Sequence, residues 1–164
     1  MNNIIVAKFG GSSLADSNQF RKVKNIVLSD ERRRYIVPSA PGKRHDKDYK
    51  ITDLFYLCHA HVQQGIPFDD VFKVIEERYN GIVKELNISL DMGEYLNEVK
   101  NKIAEGATPD YTASRGEYLN GLILAHFLDV DFVDAAKVIK FDRYGYFDSE
   151  STKKAIGEKL GSIE

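Results

Sequence analysis

An apolar run near the start of the chain, which stops at two glycines, limits the possible folds more than any other feature. Residues 4–9 are rich in branched side chains, which predicts a buried β-strand, and Gly10 and Gly11 follow at once. Asp16 and Ser17 offer N-caps for a helix that begins shortly afterwards. A strand, a glycine turn and a helix start in this order predict an anion site, because backbone N–H groups and the helix dipole attract negative charge.

Lys8 adds a full positive charge beside this turn. The order differs from two common glycine-rich motifs, since the dinucleotide-binding Gly-x-Gly-x-x-Gly spacing is absent and a P-loop carries its lysine after the last glycine. Two simpler interpretations stay open at this point. The glycines would then form only a tight turn, and Lys8 would be a surface lysine at the end of a strand.

The composition is that of an ordinary globular protein that has one domain. The chain has 164 residues, 43% of them hydrophobic, and its net charge of −2 gives no electrostatic reason to expect nucleic acid or an anionic membrane as a partner. It has one cysteine, Cys58, which lies on an apolar helical stripe and is expected in the core. We expect a cytoplasmic protein, because a lone cysteine forms no internal disulfide and no leader or membrane segment is evident.

The pattern along the chain predicts an α/β protein with a large helical insertion. A second strand at 35–37 ends at Pro38, and the charged stretch 43–50 predicts a mobile, solvated loop. Three helices then follow with no strand between them, so we expect a helical excursion over about 51–106. Beyond it we expect, in order, these elements: a helix from Thr108, a strand over 130–133, a short strand or turn at 138–139, an aromatic loop over 141–147, a helix over 149–160 and a strand near Ile163.

Three separated motifs resemble, in order, those of the aspartokinases in the amino-acid kinase superfamily. They are Lys-Phe-Gly-Gly-Ser-Ser at 8–13, Val-Pro-Ser-Ala-Pro-Gly at 37–42 with Ile-Thr-Asp-Leu at 51–54, and Ser-Arg-Gly-Glu at 114–117. Each lies at a strand-to-helix junction or at a helix start. Pro38 and Arg115 depart from the family's usual residues, but neither departure removes a functional side chain.

The resemblance implies a three-layer α/β/α sheet of the amino-acid-kinase type. It covers residues 1–164 and makes them the N-terminal, amino-acid-binding part of a catalytic domain. We therefore expect an incomplete fold, with the nucleotide-binding remainder and the regulatory domains absent. On this interpretation the chain alone is a poor kinase or none.

The resemblance also implies a reaction, the transfer of the ATP γ-phosphoryl group to the side-chain carboxylate of aspartate. This is the first step of lysine, threonine and methionine biosynthesis in the family, and it uses ATP with Mg²⁺. The resemblance also implies that the protein is a homo-oligomer. The residues carried over from the motifs are the following: Lys8 as the catalytic residue, Lys8, Phe9, Gly10, Gly11 and Ser12 for phosphate, and Ser39, Thr52 and Glu117 for aspartate. The motifs imply no protein metal site.

Two other functions stay open. The chain is then either another member of the superfamily, acting on glutamate, acetylglutamate, carbamate or a nucleotide, or a non-catalytic fragment or oligomerisation module. Single residues also have structural interpretations, since Thr52 would suit the N-cap of its helix and Glu117 would favour the positive end of a helix dipole.

Overall fold

The computed structural model describes residues 3–161, which divide into two compact units, one up to Leu128 and one from Asp129 onward. The α/β class predicted from the sequence is confirmed. The first unit contains β1 (Ile5–Phe9), a short 3₁₀ helix (Gly11–Leu14), α1 (Ser17–Leu28), β2 (Arg33–Pro38), α2 (Ile51–Gln63), α3 (Asp69–Leu86), α4 (Met92–Ala104) and α5 (Pro109–Leu128). The second unit contains α6 (Ala135–Val138) and α7 (Ser149–Gly161). Within residues 3–161, no helix has both the length and the apolar character that crossing a membrane requires.

β1 and β2 form a parallel pair whose two faces differ. Phe9 and Ile36 pack against the helical core, whereas Val6 is 64% exposed and Val37 is 46% exposed on the opposite face. Side chains alternate along a strand, so one face of the pair meets the helices and the other meets solvent. The prediction that residues 4–9 form a buried strand is therefore wrong for the face that carries Val6 and Lys8.

The helices of the first unit begin where the sequence predicts. The carboxylate of Asp16 accepts a hydrogen bond from Gln19 N, and that of Asp91 accepts one from Gly93 N, so each caps its helix. Two side chains differ from what their polarity alone suggests. Ile26 on α1 is 46% exposed, and Tyr79 on α3 is fully buried in the core.

Cys58 lies in the core, as its place on the α2 stripe predicts. Its side chain is fully buried, and this burial raises the pKa of the thiol to about 12. A thiol in this environment is protonated at neutral pH and is inert as a nucleophile.

The segment 43–50 is a solvated loop, as predicted, except at Asp48, which is buried in an ion pair with Arg78. Its mobility stays a prediction. Asp48 is 7% exposed, and its two oxygens accept hydrogen bonds of 2.8 and 2.7 Å from Arg78 Nη2 on α3. Arg78 is itself 4% exposed and also donates to Gly42 O at 3.0 Å. Hydrogen bonds from Arg44 and the charge of Arg78 hold the pKa of Asp48 well below its usual range, while burial lowers the pKa of Arg78.

The second unit differs from the prediction at its start. Residues 130–133 form no strand, and Val130 is 56% exposed, because no neighbouring segment among residues 3–161 pairs with them. Asp134 instead caps α6, so the proposed short strand or turn at 138–139 is the end of this helix. The aromatic loop is confirmed as a turn closed by an antiparallel bridge between Phe141 and Phe147. The strand expected near Ile163 falls outside the described residues.

Candidate functional site

The carboxyl ends of β1 and β2 lie side by side and bring two of the sequence motifs together. Gly10 directly follows β1 and Ser39 directly follows β2. Because the two strands are parallel, their carboxyl ends lie at the same edge of the sheet, and so do these two residues. The Ser39 N–H donates to Phe9 O at 2.9 Å. The glycine turn and residues 39–42, which we call the 39–42 segment, are thus immediate neighbours.

Two glycines allow these neighbours to touch through their backbones. The Gly42 N–H donates to Gly11 O at 2.9 Å. A Cβ added to Gly11 would lie 2.9 Å from Ala40 O, and one added to Gly42 would lie 2.7 Å from the Gly11 carbonyl carbon. Neither position has room for a side chain, which explains both glycines by close approach.

The predicted turn after β1 is more regular than a loop. Residues Gly11–Leu14 form a 3₁₀ helix, closed by a hydrogen bond from Ser13 N to Gly10 O. The first N–H groups of a helix have no partner within it, and here they belong to Gly11 and Ser12. This geometry suits a phosphate that accepts backbone hydrogen bonds at residues 10–12.

Lys8 and Ser39 meet at the same edge of the sheet. The Lys8 ammonium group donates to Ser39 Oγ across 3.4 Å, from the exposed face of β1. A cation and a hydroxyl group therefore lie next to the glycine turn, where a phosphoryl group and its acceptor would need neutralising and orienting groups.

Glu117 reaches this edge from α5. Its carboxylate accepts a hydrogen bond from Ala40 N at 3.4 Å. The preceding residue, Gly116, lets α5 approach closely, since an added Cβ would lie 2.7 Å from Ala40 Cβ. The Tyr79 hydroxyl donates to Gly116 O at 2.9 Å, and burial, together with the charge of Glu117, raises the pKa of this tyrosine.

Thr52 lies in the first turn of α2, which begins beside the 39–42 segment. The N–H of Ile51 donates to Pro41 O at 3.2 Å. Lys50 occupies the N-cap position, so the alternative interpretation of Thr52 as the N-cap is wrong. In the structure, Lys8 contacts Ser39 and Glu117 contacts the adjacent Ala40, with Thr52 in the first turn of the adjoining helix.

Sequence reasoning missed Asn120, which supports the same segment. This side chain is fully buried, and its Nδ2 group donates to Ser39 O at 2.6 Å. Its other polar atom, Oδ1, is buried and has no hydrogen-bond partner within residues 3–161. The available signal was a polar residue on the apolar face of α5, three positions after Glu117.

Arg115, a departure from the family motif, packs away from this contact network. It is only 9% exposed, and its guanidinium lies 4.5 Å from the ring centre of Tyr111 and 4.7 Å from that of Tyr118. Because its guanidinium packs against these two aromatic rings, Arg115 can occupy a nearly buried position that would otherwise suit an apolar residue.

Comparison with known proteins identifies the family. Residues 3–159 match the amino acid kinase family. The chain belongs to this family. Aspartokinase 3 of Bacillus subtilis is 34% identical to this chain in an alignment of 139 residues that covers 81% of the chain. The lysine-sensitive aspartokinase 3 of Escherichia coli is 28% identical over 160 residues. The resemblance to aspartokinases that the motifs predict is confirmed.

Part of each of several solved aspartokinase structures has the same fold as this chain. The aspartate kinase of Clostridium acetobutylicum matches 98% of the chain with 63% identity and a TM-score of 0.94. Aspartokinase III of E. coli, solved in complex with aspartate and ADP, matches 96% of the chain with 25% identity and a TM-score of 0.75. The chain spans 31% of the B. subtilis protein and 37% of the C. acetobutylicum chain, about a third of each.

Proposed function

We propose that this chain is the aspartate-binding part of an aspartokinase, which transfers the ATP γ-phosphoryl group to the side-chain carboxylate of aspartate. The observation that carries the proposal is that Lys8 and Glu117 contact adjacent residues, Ser39 and Ala40, from opposite elements. The names of the relatives support the same activity, and one solved relative holds both aspartate and ADP.

The chemistry brings two anions together, so it depends mainly on positioning and on neutralising charge. An oxygen of the aspartate carboxylate attacks the γ-phosphorus while the bond to the β–γ bridging oxygen breaks, which gives 4-phospho-aspartate and ADP. Lys8 stabilises the negative charge on the transferred phosphoryl oxygens. The backbone N–H groups of residues 10–12 orient the same group, with Phe9 placing the turn at the strand end.

The amino acid is held by groups of opposite charge and by hydroxyls. The Glu117 carboxylate accepts charge-assisted hydrogen bonds from the α-ammonium group of aspartate. The hydroxyls of Ser39 and Thr52 complete the pocket and direct the side-chain carboxylate toward Lys8. In this arrangement Glu117 recognises the ammonium group of the amino acid, and Lys8 stabilises the phosphoryl group that is transferred.

We propose that Mg²⁺ enters with the nucleotide. Within residues 3–161, no three His, Cys, Asp or Glu side chains come together as a metal site. Nucleotide phosphates commonly supply ligands to Mg²⁺, and the bound ion would neutralise part of their charge. The same proposal includes a cytoplasmic homo-oligomer, as the family resemblance implies.

Calorimetric titration of this chain with aspartate tests the proposal. We expect binding that Glu117→Gln weakens about 10- to 100-fold, because a hydrogen bond to a charged group is lost. Glu105→Gln is the matched control, since this glutamate is exposed at the end of α4. N-acetylaspartate, which lacks the ammonium group, should bind far more weakly than aspartate.

Three outcomes distinguish the alternatives. Absence of aspartate binding by the wild-type chain would favour a non-catalytic module, and tighter binding of another acid would favour a different superfamily reaction. An ATP-dependent aspartyl-hydroxamate assay measures turnover, which we expect to be weak or absent for this chain alone. Equal affinity for aspartate and N-acetylaspartate would contradict the role given to Glu117.

A further inference from the structure

The orientation of the Asn120 amide follows from its partner. Ser39 O can only accept a hydrogen bond, so the Asn120 atom 2.6 Å away is the Nδ2 donor. The Oδ1 atom therefore points away from this carbonyl, into a buried place where residues 3–161 offer it no donor. An unpaired buried amide oxygen is destabilising, and asparagine is a weaker helix former than leucine. Packing alone does not explain an asparagine at this position.

Asn120 and Glu117 hold the same piece of backbone from one face of α5. They are three residues apart, which places both side chains on one side of the helix. Asn120 donates to Ser39 O, and Glu117 accepts from the next N–H group, that of Ala40. Phe9 O accepts from Ser39 N on the other side.

These contacts determine where the Ser39 side chain points. Both peptide groups of Ser39 are hydrogen-bonded, one to β1 and one to α5. With the backbone fixed, rotation about the Cα–Cβ bond is the main freedom left to the side chain, whose hydroxyl accepts from Lys8. A shift of the Ser39 carbonyl would therefore move the hydroxyl away from the lysine.

We propose that Asn120 is a positioning residue of this site, which fixes the Ser39 peptide and through it the Ser39 hydroxyl beside Lys8. The importance of this geometry for aspartate rests on the function proposed above. Asn120 itself is fully buried, and the contact it makes is with the Ser39 backbone. Its effect on the substrate passes entirely through residues 39 and 40.

Two substitutions separate the hydrogen bond from packing. Asn120→Leu keeps a similar volume but removes the donor, and it should weaken aspartate binding about five- to tenfold at any pH. Asn120→Asp keeps the shape but places a carboxylate against a carbonyl oxygen, so it should weaken binding further near neutral pH. At about pH 5 the buried acid, whose pKa is raised by burial, is protonated and donates again, so affinity should recover toward the wild-type value.

The pH readout requires a wild-type reference. The titratable groups around residues 39 and 40 are Lys8 on β1, Glu117 on α5 and Tyr79 on α3. These groups contribute to the pH dependence of aspartate binding in the wild-type chain and in both variants. The ratio of each variant's affinity to the wild-type affinity at the same pH therefore reports the effect of residue 120. A merely structural role would give the two variants the same pH profile.

Amide hydrogen exchange tests the positioning without any ligand. We expect exchange at the amides of Ser39 and Ala40 to be about tenfold faster in Asn120→Leu than in the wild-type chain, with the amides of α4 unchanged. If the wild-type chain binds no aspartate, the proposed function fails and this measurement still decides the positioning role. Circular dichroism checks that each variant is folded. If one variant is unfolded, the measurement on the other variant tests the positioning role. Unchanged exchange, or the same affinity for Asn120→Asp at both pH values, would overturn the proposal.

Discussion

The buried pair between Asp48 and Arg78 allows a quantitative prediction. Asp48→Asn removes a carboxylate that accepts two hydrogen bonds from a guanidinium only 4% exposed. The arginine would then keep its charge in a buried place without a counter-charge, and only neutral acceptors such as Gly42 O and the new amide oxygen would remain to it. Breaking such a pair from one side costs about 3–5 kcal/mol of folding free energy. A domain of ordinary stability has only about 5–15 kcal/mol in total, so the variant should be marginally folded.

A double-mutant cycle measures how much of this cost belongs to the pair. We expect Arg78→Met to be destabilising as well, although Asp48 keeps its contacts with Arg44 at 2.8 and 3.0 Å. The combination with Asp48→Asn should cost less than the sum of the single changes, because neither partner is then left alone. Urea unfolding followed by circular dichroism gives the free energies. The exposed pair of Asp30 and Arg32 is the control, and its loss should produce no measurable change.

The acid dependence of the same pair has a definite sign. Because the pKa of Asp48 is lower in the folded chain than its ordinary value of about 3.9, its stabilising effect is fully present above about pH 4. The effect is lost progressively as the pH falls below that value and the folded carboxylate becomes protonated. The difference between wild type and Asp48→Asn should therefore shrink in acid. A difference that is no larger than that of the control pair at neutral pH would refute the reasoning.

Further predictions concern packing and reactivity. Gly116→Ala should destabilise the chain by about 1–3 kcal/mol, because its Cβ would lie 2.7 Å from Ala40 Cβ, and it should also weaken aspartate binding. Gly81→Ala is the matched change in α3, where an added Cβ meets nothing within 4 Å, and it should raise the free energy of unfolding by about 0.5–1 kcal/mol. Cys58 should fail to react with a thiol reagent at about pH 8 in the folded chain and react fully in denaturant, since burial raises its pKa to about 12; rapid reaction of the folded chain would contradict this.

The sequence predicts those parts of the fold that depend on neighbouring residues. Helix starts at Asp16 and Asp91 are predictable because a capping carboxylate acts within its own first turn. The placement of Lys8 and Glu117 against adjacent residues, Ser39 and Ala40, is not local, and only the order of the three motifs pointed to it. The roles assigned to these residues stay predictions.

Long-range contacts explain where the sequence misleads. Asp48 and Arg78 are 30 positions apart, and each alone is typical of a solvated charge, so nothing local indicates that they bury one another. Residues 130–133 have the composition of a strand, yet a strand also needs a hydrogen-bonding neighbour. Asn120 interrupts an apolar face, and its value depends on a carbonyl 81 positions away.

The exposed face of the strand pair bears on how a phosphate would reach the proposed site. Within residues 3–161, helices cover the side of the sheet that carries Phe9 and Ile36, whereas Val6, Lys8 and Val37 face solvent. Under the proposed function, a triphosphate would approach the lysine from the side of Val6 and Val37. Excluding water from that side would strengthen the attraction between the lysine and the phosphate, because the local dielectric would fall.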